Sequence, residues 1–222
     1  VVELRDLEVL LDVCTQQDYL GVGGARPVRN LPTVRANLKR VMAYARWARV
    51  PTVSCVEHHR YDEVRGRPNP ACVEGTFGQQ KLHCSVLPRR IVIESDNYLC
   101  VPLDVFKEYQ QAILTQLQRD PFANPKLDRL LTELPVSRFV LLGVGLETNI
   151  RLLALGLLLR HRAVTVITDA AGHWNESDAE MTIRQLEAKG CTMLTTNEYL
   201  AQRIPLVRPK AGPIRLRPRH VA

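Results

Sequence analysis

The sequence predicts one α/β domain: a mainly parallel sheet of five or six strands with helices on both faces, a three-layer Rossmann-like arrangement. Three observations carry this. Short apolar runs bounded by turn residues alternate with stretches of helical period, the pattern of βα units around a parallel sheet. The length, 222 residues, suits one large core and would be cramped as two domains. No apolar run approaches the roughly 20 residues needed to span a bilayer, and the one at residues 152–159 is interrupted by Gly156 and ends in Arg160.

Taken in order, residues 7–13 (LEVLLDV) form the first buried strand, and the charges at Glu3, Arg5, Asp6 and Glu8 make a signal sequence unexpected there. Residues 28–49 follow as a helix, with Val34, Leu38, Val41, Met42 and Ala45 at helical spacing. Pro51 stops it, and residues 52–56 (TVSCV) are the second strand. Residues 60–90 are polar and rich in Gly and Pro, so they read as a long loop over the C-terminal edge of the sheet. Residues 91–94 (IVIE) and 111–115 (QAILT) both look like short strands, of which one is expected in the main sheet, and 127–134 makes a short helix. The second half is more regular: a strand at 138–144 and an apolar helix at 148–160, then a strand at 163–168. An amphipathic helix at 177–189 is stopped by Gly190, and a short strand at 192–195 and a helix at 197–202 close the domain. Ligands are expected at the C-terminal ends of the strands.

The net charge of +7 is concentrated rather than spread. Arg208, Lys210, Arg215, Arg217 and Arg219 lie in a stretch without acidic residues, and the rest of the chain holds 25 basic against 23 acidic groups. The division expected is therefore a domain over residues 1–207 and a basic Pro/Arg-rich tail over 208–222, a solvated tail rather than a nucleic-acid-binding face. The six cysteines form no C-x-x-C pair, and that scatter suits reduced thiols in a cytoplasmic protein. No membrane association is expected.

Four segments stand in a telling order. Leu10-Leu11-Asp12-Val13 leads, after two extra residues (Cys14 and Thr15), to Gln16, Asp18 and Tyr19. Cys72-Val73-Glu74-Gly75-Thr76-Phe77-Gly78 forms a Gly-Thr loop, and Asp120-Pro121-Phe122 is followed by Pro125 and Leu127. Gly143-Val144-Gly145-Leu146-Glu147-Thr148-Asn149-Ile150 runs into a helix and then into residues 163–170 (AVTVITDA). Together, over roughly residues 7–200, they resemble the isochorismatase-like family of cysteine hydrolases, which includes nicotinamidases and other amidohydrolases. The resemblance implies the isochorismatase-like hydrolase fold, common assembly into dimers or tetramers, and a catalytic Asp, Lys and Cys.

On that resemblance, Asp12 takes the place of the Asp, Gln116 that of the Lys and Asn149 that of the Cys. A carboxamide has no thiolate-like state, so covalent thiol chemistry has no starting point at Asn149. No lysine lies between Lys107 and Lys126 to balance Asp12 by a small shift of alignment. The resemblance further implies an oxyanion hole from the main-chain N–H groups of Gly145 and Asn149, and a cis peptide between Val144 and Gly145. Glu57, His59 and Thr76 are expected on the pocket rim. Glu57-His58-His59 keeps the acid-x-His spacing by which the nicotinamidase branch binds a metal, but the next ligand positions hold Arg65 and Ala71. No metal and no other cofactor is expected.

The reading favoured is a catalytically inactive or strongly divergent family member, a homo-oligomer with a retained pocket for a polar or anionic small molecule. The alternative is a divergent hydrolase of C–N or related bonds, using Asp12 and backbone oxyanion donors, with Asn149 and Gln116 as further donors and no thiol nucleophile. A third, nucleic-acid association, would rest on the basic tail alone.

Overall fold

Seven parallel strands form one sheet in the order β3-β4-β2-β1-β5-β6-β7. The computed structural model describes residues 8–94, 101–116 and 120–203. The strands are β1 (Glu8–Val13), β2 (Thr52–Glu57), β3 (Arg90–Ile93), β4 (Gln111–Gln116), β5 (Arg138–Val144), β6 (Ala163–Gly172) and β7 (Thr192–Leu194). The strand count exceeds the five or six expected because both short runs join: β3 pairs with β4, and β4 pairs with β2. Short apolar strands give little periodicity, and only sheet pairing reveals whether each has a neighbour.

Helices α1 (Gln17–Leu20), α2 (Leu31–Ala48), α3 (Tyr61–Val64), α4 (Val105–Glu108), α5 (Pro125–Glu133), α6 (Arg151–Leu159), α7 (Glu176–Ala188) and α8 (Thr196–Ala201) complete the domain. Helix α2 buries Val34, Leu38, Val41, Met42 and Ala45, the stripe the sequence predicted, and packs on β6 and α8. The starts of α5, α7 and α8 are capped by side chains of the expected kind. Asn124 accepts from the N–H groups of Lys126 and Leu127 at α5, Asn175 from Asp178 at α7, and Thr195 forms a capping box with Glu198 at α8.

The apolar stretch after β5 is not one continuous α-helix. A π-helical turn, Leu146–Ile150, precedes α6. Helix α6 buries Leu153, Ala154 and Leu157, while Leu159 is 80% exposed. The loop expected over residues 60–90 is held down at two points by isolated bridges, Gln16 with Lys81 and His59 with Val73. Residue 7 and the basic tail at 208–222 lie outside the described residues.

Successive strands run outward from β1 on one side through β2, and on the other through β5. The crevice between the C-terminal ends of β1 and β5 is thus the topological switch point, where open α/β sheets bind ligands.

Candidate functional site

At that switch point the chain leaving β1 turns sharply. Cys14, buried, adopts φ 47° and donates its N–H to Cys55 O at 2.8 Å. Across the crevice the peptide Val144–Gly145 is cis, as the family resemblance implies, and the π turn starts immediately after it. Gly145 O accepts from the N–H groups of Thr148 and Ile150 at 3.2 and 3.1 Å. A side chain at Gly145 would collide with Trp174 and Thr148, whose atoms lie 2.4 and 2.6 Å from where its Cβ would stand.

Asn149 sits on this turn with its carboxamide buried. Its Nδ2 donates to Glu57 Oε1 at 2.6 Å and to Cys14 Sγ at 3.3 Å. The other oxygen of Glu57 accepts from the Tyr19 hydroxyl and lies 3.6 Å from His59 Nε2. Burial pushes the Glu57 carboxyl up, but hydrogen bonds from His59, Tyr19 and Asn149 outweigh it and leave the group below its ordinary value. The hydrogen bond to Glu57 outweighs desolvation at His59 and raises its pKa, so the neighbouring carboxylate favours the protonated imidazole. Burial and the neighbouring Glu57 charge push the Cys14 thiol well above its ordinary value, with only the Asn149 bond opposing them.

Glu57, His59, Gln116, Thr148 and Asn149 face one cavity of about 350 Å³. Tyr19 and Trp174 form its aromatic wall, their rings edge-to-face at 5.4 Å. Arg26 and Arg67, both exposed, complete the lining, and the Arg26 guanidinium lies 4.6 Å from the Trp174 ring centroid. Gln116 and Asn149 are therefore brought together, with Glu57 and His59. Thr76 is not among the lining residues: it is exposed, and its hydroxyl donates to Val73 O at 2.7 Å.

Asp12 is placed differently from the expectation. Its carboxylate, fully buried, accepts from Thr15 Oγ1 at 2.7 Å, Ser54 Oγ at 2.8 Å and Lys81 Nζ at 2.6 Å. None of these partners lines the cavity. Asp12 also has the cation that its sequence neighbourhood lacked. Lys81 arrives from the long loop, where no spacing rule connects it to β1.

The β1-end group that touches Asn149 is Cys14. One signal in the sequence pointed to it. Counted back from Gln16 with no insertion allowed, Cys14 rather than Asp12 falls at the family's Asp position. The Gln-x-Asp pair that follows holds backbone together. Gln16 bonds to Glu57 N and O and to Gln79 O, all at 2.8 Å, while Asp18 accepts from Cys72 N at 2.7 Å and Ala25 N at 3.0 Å. Gly78 of the Gly-Thr loop leaves room for that Asp18 carboxylate, which lies within 2.2 Å of where a Cβ would stand.

A metal of the nicotinamidase kind does not fit these residues. Glu57 and His59 turn toward each other, with Oε2 3.6 Å from Nε2, and among the described residues no group of three or more His, Cys, Asp or Glu is arranged to hold an ion. Among the described residues, no helix is long and apolar enough to cross a membrane.

No curated protein sequence matches the chain. Among solved structures it is similar to a pyrazinamidase of Pyrococcus horikoshii in complex with zinc, with TM-score 0.68 and 19% identity over 85% of this chain and 98% of that one. An isochorismatase family protein from Desulfovibrio vulgaris gives TM-score 0.68 and 20% identity over 87% and 96%. A MAR1 ribonuclease from Caenorhabditis elegans gives 0.58 and 15% over 87% and 79%. At such identities the likeness concerns the fold, and a shared fold leaves the chemistry open. The family model described as the Isochorismatase domain matches residues 9–198, nearly the whole described domain, and the chain belongs to the isochorismatase family.

Proposed function

We propose that this chain is a non-catalytic member of the family that binds a small anionic molecule in the pocket between β1 and β5. One observation carries the reading: the elbow residue is Asn149, whose amide is committed to Glu57 Oε1 and Cys14 Sγ. No nucleophile occupies that position, and the adjacent thiol of Cys14 is buried and hard to ionise. Water activation has little support either. Asp12 is saturated by Thr15, Ser54 and Lys81, and Glu57, which does face the pocket, is a weak base because its hydrogen bonds favour the charged form.

The preference for an anion rests on Arg26 and Arg67, neither of which forms an ion pair among the described residues. Guanidinium groups at a pocket mouth suit a carboxylate or phosphate. The deciding experiment incubates the purified protein with nicotinamide and a panel of related amides, then follows hydrolysis and thiol adducts by mass spectrometry. No turnover and no adduct at Cys14 are expected. Turnover that disappears when Cys14 or Cys72 is alkylated would overturn the reading.

We further infer a homo-oligomer, because α6 is apolar on more than one face and leaves Leu159 exposed. Light scattering at micromolar concentration tests it, and a monomer would refute it. The five described cysteines are all free thiols, which supports a reducing, cytoplasmic setting.

A further inference from the structure

A second cavity, of about 590 Å³, lies behind Trp174 between the π turn and α7. Its walls carry two charges of each sign, Arg26 and Arg151 against Glu147 and Asp178, with Trp174 and Met181 as its apolar side. Glu147 uses only one oxygen: Oε1 accepts from the N–H groups of Trp174 and Asn175 at 2.7 and 3.2 Å. Glu147 Oε2 and Arg151 Nε are both buried and meet no hydrogen-bond partner among the described residues. Orphaned charged atoms of this kind cost free energy that a correctly placed partner would recover.

Glu147 and Arg151 stand four residues apart, with the acid first, the order that forms an ion pair along an α-helix. They do not pair here. The π turn Leu146–Ile150 widens the spiral between them, so the i,i+4 alignment is lost. The protein thus holds an acid and a base apart at one cavity wall.

We propose that this cavity is a binding site for a free α-amino acid with an apolar side chain. Its carboxylate meets Arg151, its ammonium meets Glu147, and its side chain lies against Trp174 and Met181. The balance of charges selects a zwitterion over single-sign ligands. A phosphate would face Glu147 and Asp178, and a polyamine would face Arg26 and Arg151. The site shares Arg26, Thr148 and Trp174 with the pocket described above but does not depend on that pocket's function.

The test is calorimetric titration of the full chain with L-leucine, L-methionine and L-phenylalanine, and with the N-acetyl and carboxamide forms of each. At least one free amino acid should bind with a dissociation constant of about 1 mM or tighter. Each blocked form should bind roughly tenfold more weakly, as for loss of a charge-assisted hydrogen bond. Glu147→Gln, which keeps a carbonyl for Trp174 and Asn175, and Arg151→Met should each weaken the free amino acid to a similar degree. The proposal is overturned if none of the three binds the folded wild type at about 10 mM, or if the blocked forms bind as well. Because the blocked ligands are tested on the wild type, the outcome stands even if a variant fails to fold.

Discussion

Replacing Lys81 with methionine removes the cation from a fully buried carboxylate. The Asp12 side chain has no exposed surface and that of Lys81 only 7%, with Nζ 2.6 Å from Oδ2. Lys81 Nζ also donates to Thr15 Oγ1 at 2.8 Å, so one deletion strips two hydrogen bonds from a buried network. Breaking a buried pair from one side costs about 3–5 kcal/mol, because a charge is left without compensation. The domain's total stability is expected at about 5–15 kcal/mol, so the variant should fold but with a large fraction of its margin gone. With a urea dependence of about 2.5 kcal/mol per molar, the unfolding midpoint should fall by roughly 1.5 M. The second half of the cycle separates charge from shape. Asp12→Asn together with Lys81→Met removes the uncompensated charge while leaving acceptors and donors for Ser54 and Thr15, and should recover at least about half the loss. Urea titration followed by circular dichroism measures the wild type, the two single variants and the double variant. If Lys81→Met costs under about 1 kcal/mol, or the double variant is no more stable than the single one, the buried-pair account fails.

Other outcomes follow from the pocket. His59 should titrate above its ordinary value in an NMR pH series, and Glu57→Gln should bring it back down, since the Glu57 hydrogen bond is the chief cause. Because His59 is raised on folding, its stabilising contribution is full below its unfolded pKa and is lost as pH rises through the folded value. Glu57 is lowered, so its contribution is present above its unfolded pKa and fades as pH falls through the folded value. Glu57→Gln, which removes both contributions, should therefore flatten the pH profile of stability at both ends, and an unchanged profile would count against the pair. Gly145→Ala should cost about 1–3 kcal/mol by overpacking against Trp174, and Trp174→Leu in the same chain should relieve part of it, as thermal unfolding would report. Restoring Asp, Lys and Cys together in Cys14→Asp/Gln116→Lys/Asn149→Cys should speed iodoacetamide labelling at residue 149 at neutral pH, relative to Asn149→Cys alone. Equal labelling rates would mean that these positions do not form the family's charge arrangement.

The sequence by itself determined the α/β class, most strand and helix positions and the identity of the elbow. The reason is that these features are local. Apolar runs such as residues 138–144 and the helical stripe of α2 are written in neighbouring residues, and the absence of a thiol at Asn149 is a matter of residue type. Legible too was that Gln116 lies at one strand's end and Asn149 follows another, which brings them to one edge of a parallel sheet. Whether β3 and β4 both join that sheet was decided only by pairing between segments distant in sequence. So was the ion pair of Asp12 with Lys81, which spans 69 residues. The same holds for Cys14, whose left-handed turn swings its thiol onto Asn149, and for Tyr19, Arg26, Arg67 and Trp174, which reach the pocket from loops and helices with no mutual spacing. A strand's period of two assigns a side chain to a face of the sheet, but a turn with φ 47° at its end breaks that period. Side-chain direction beyond the last paired residue is set by the surrounding tertiary contacts, and the composition of this pocket depends on it.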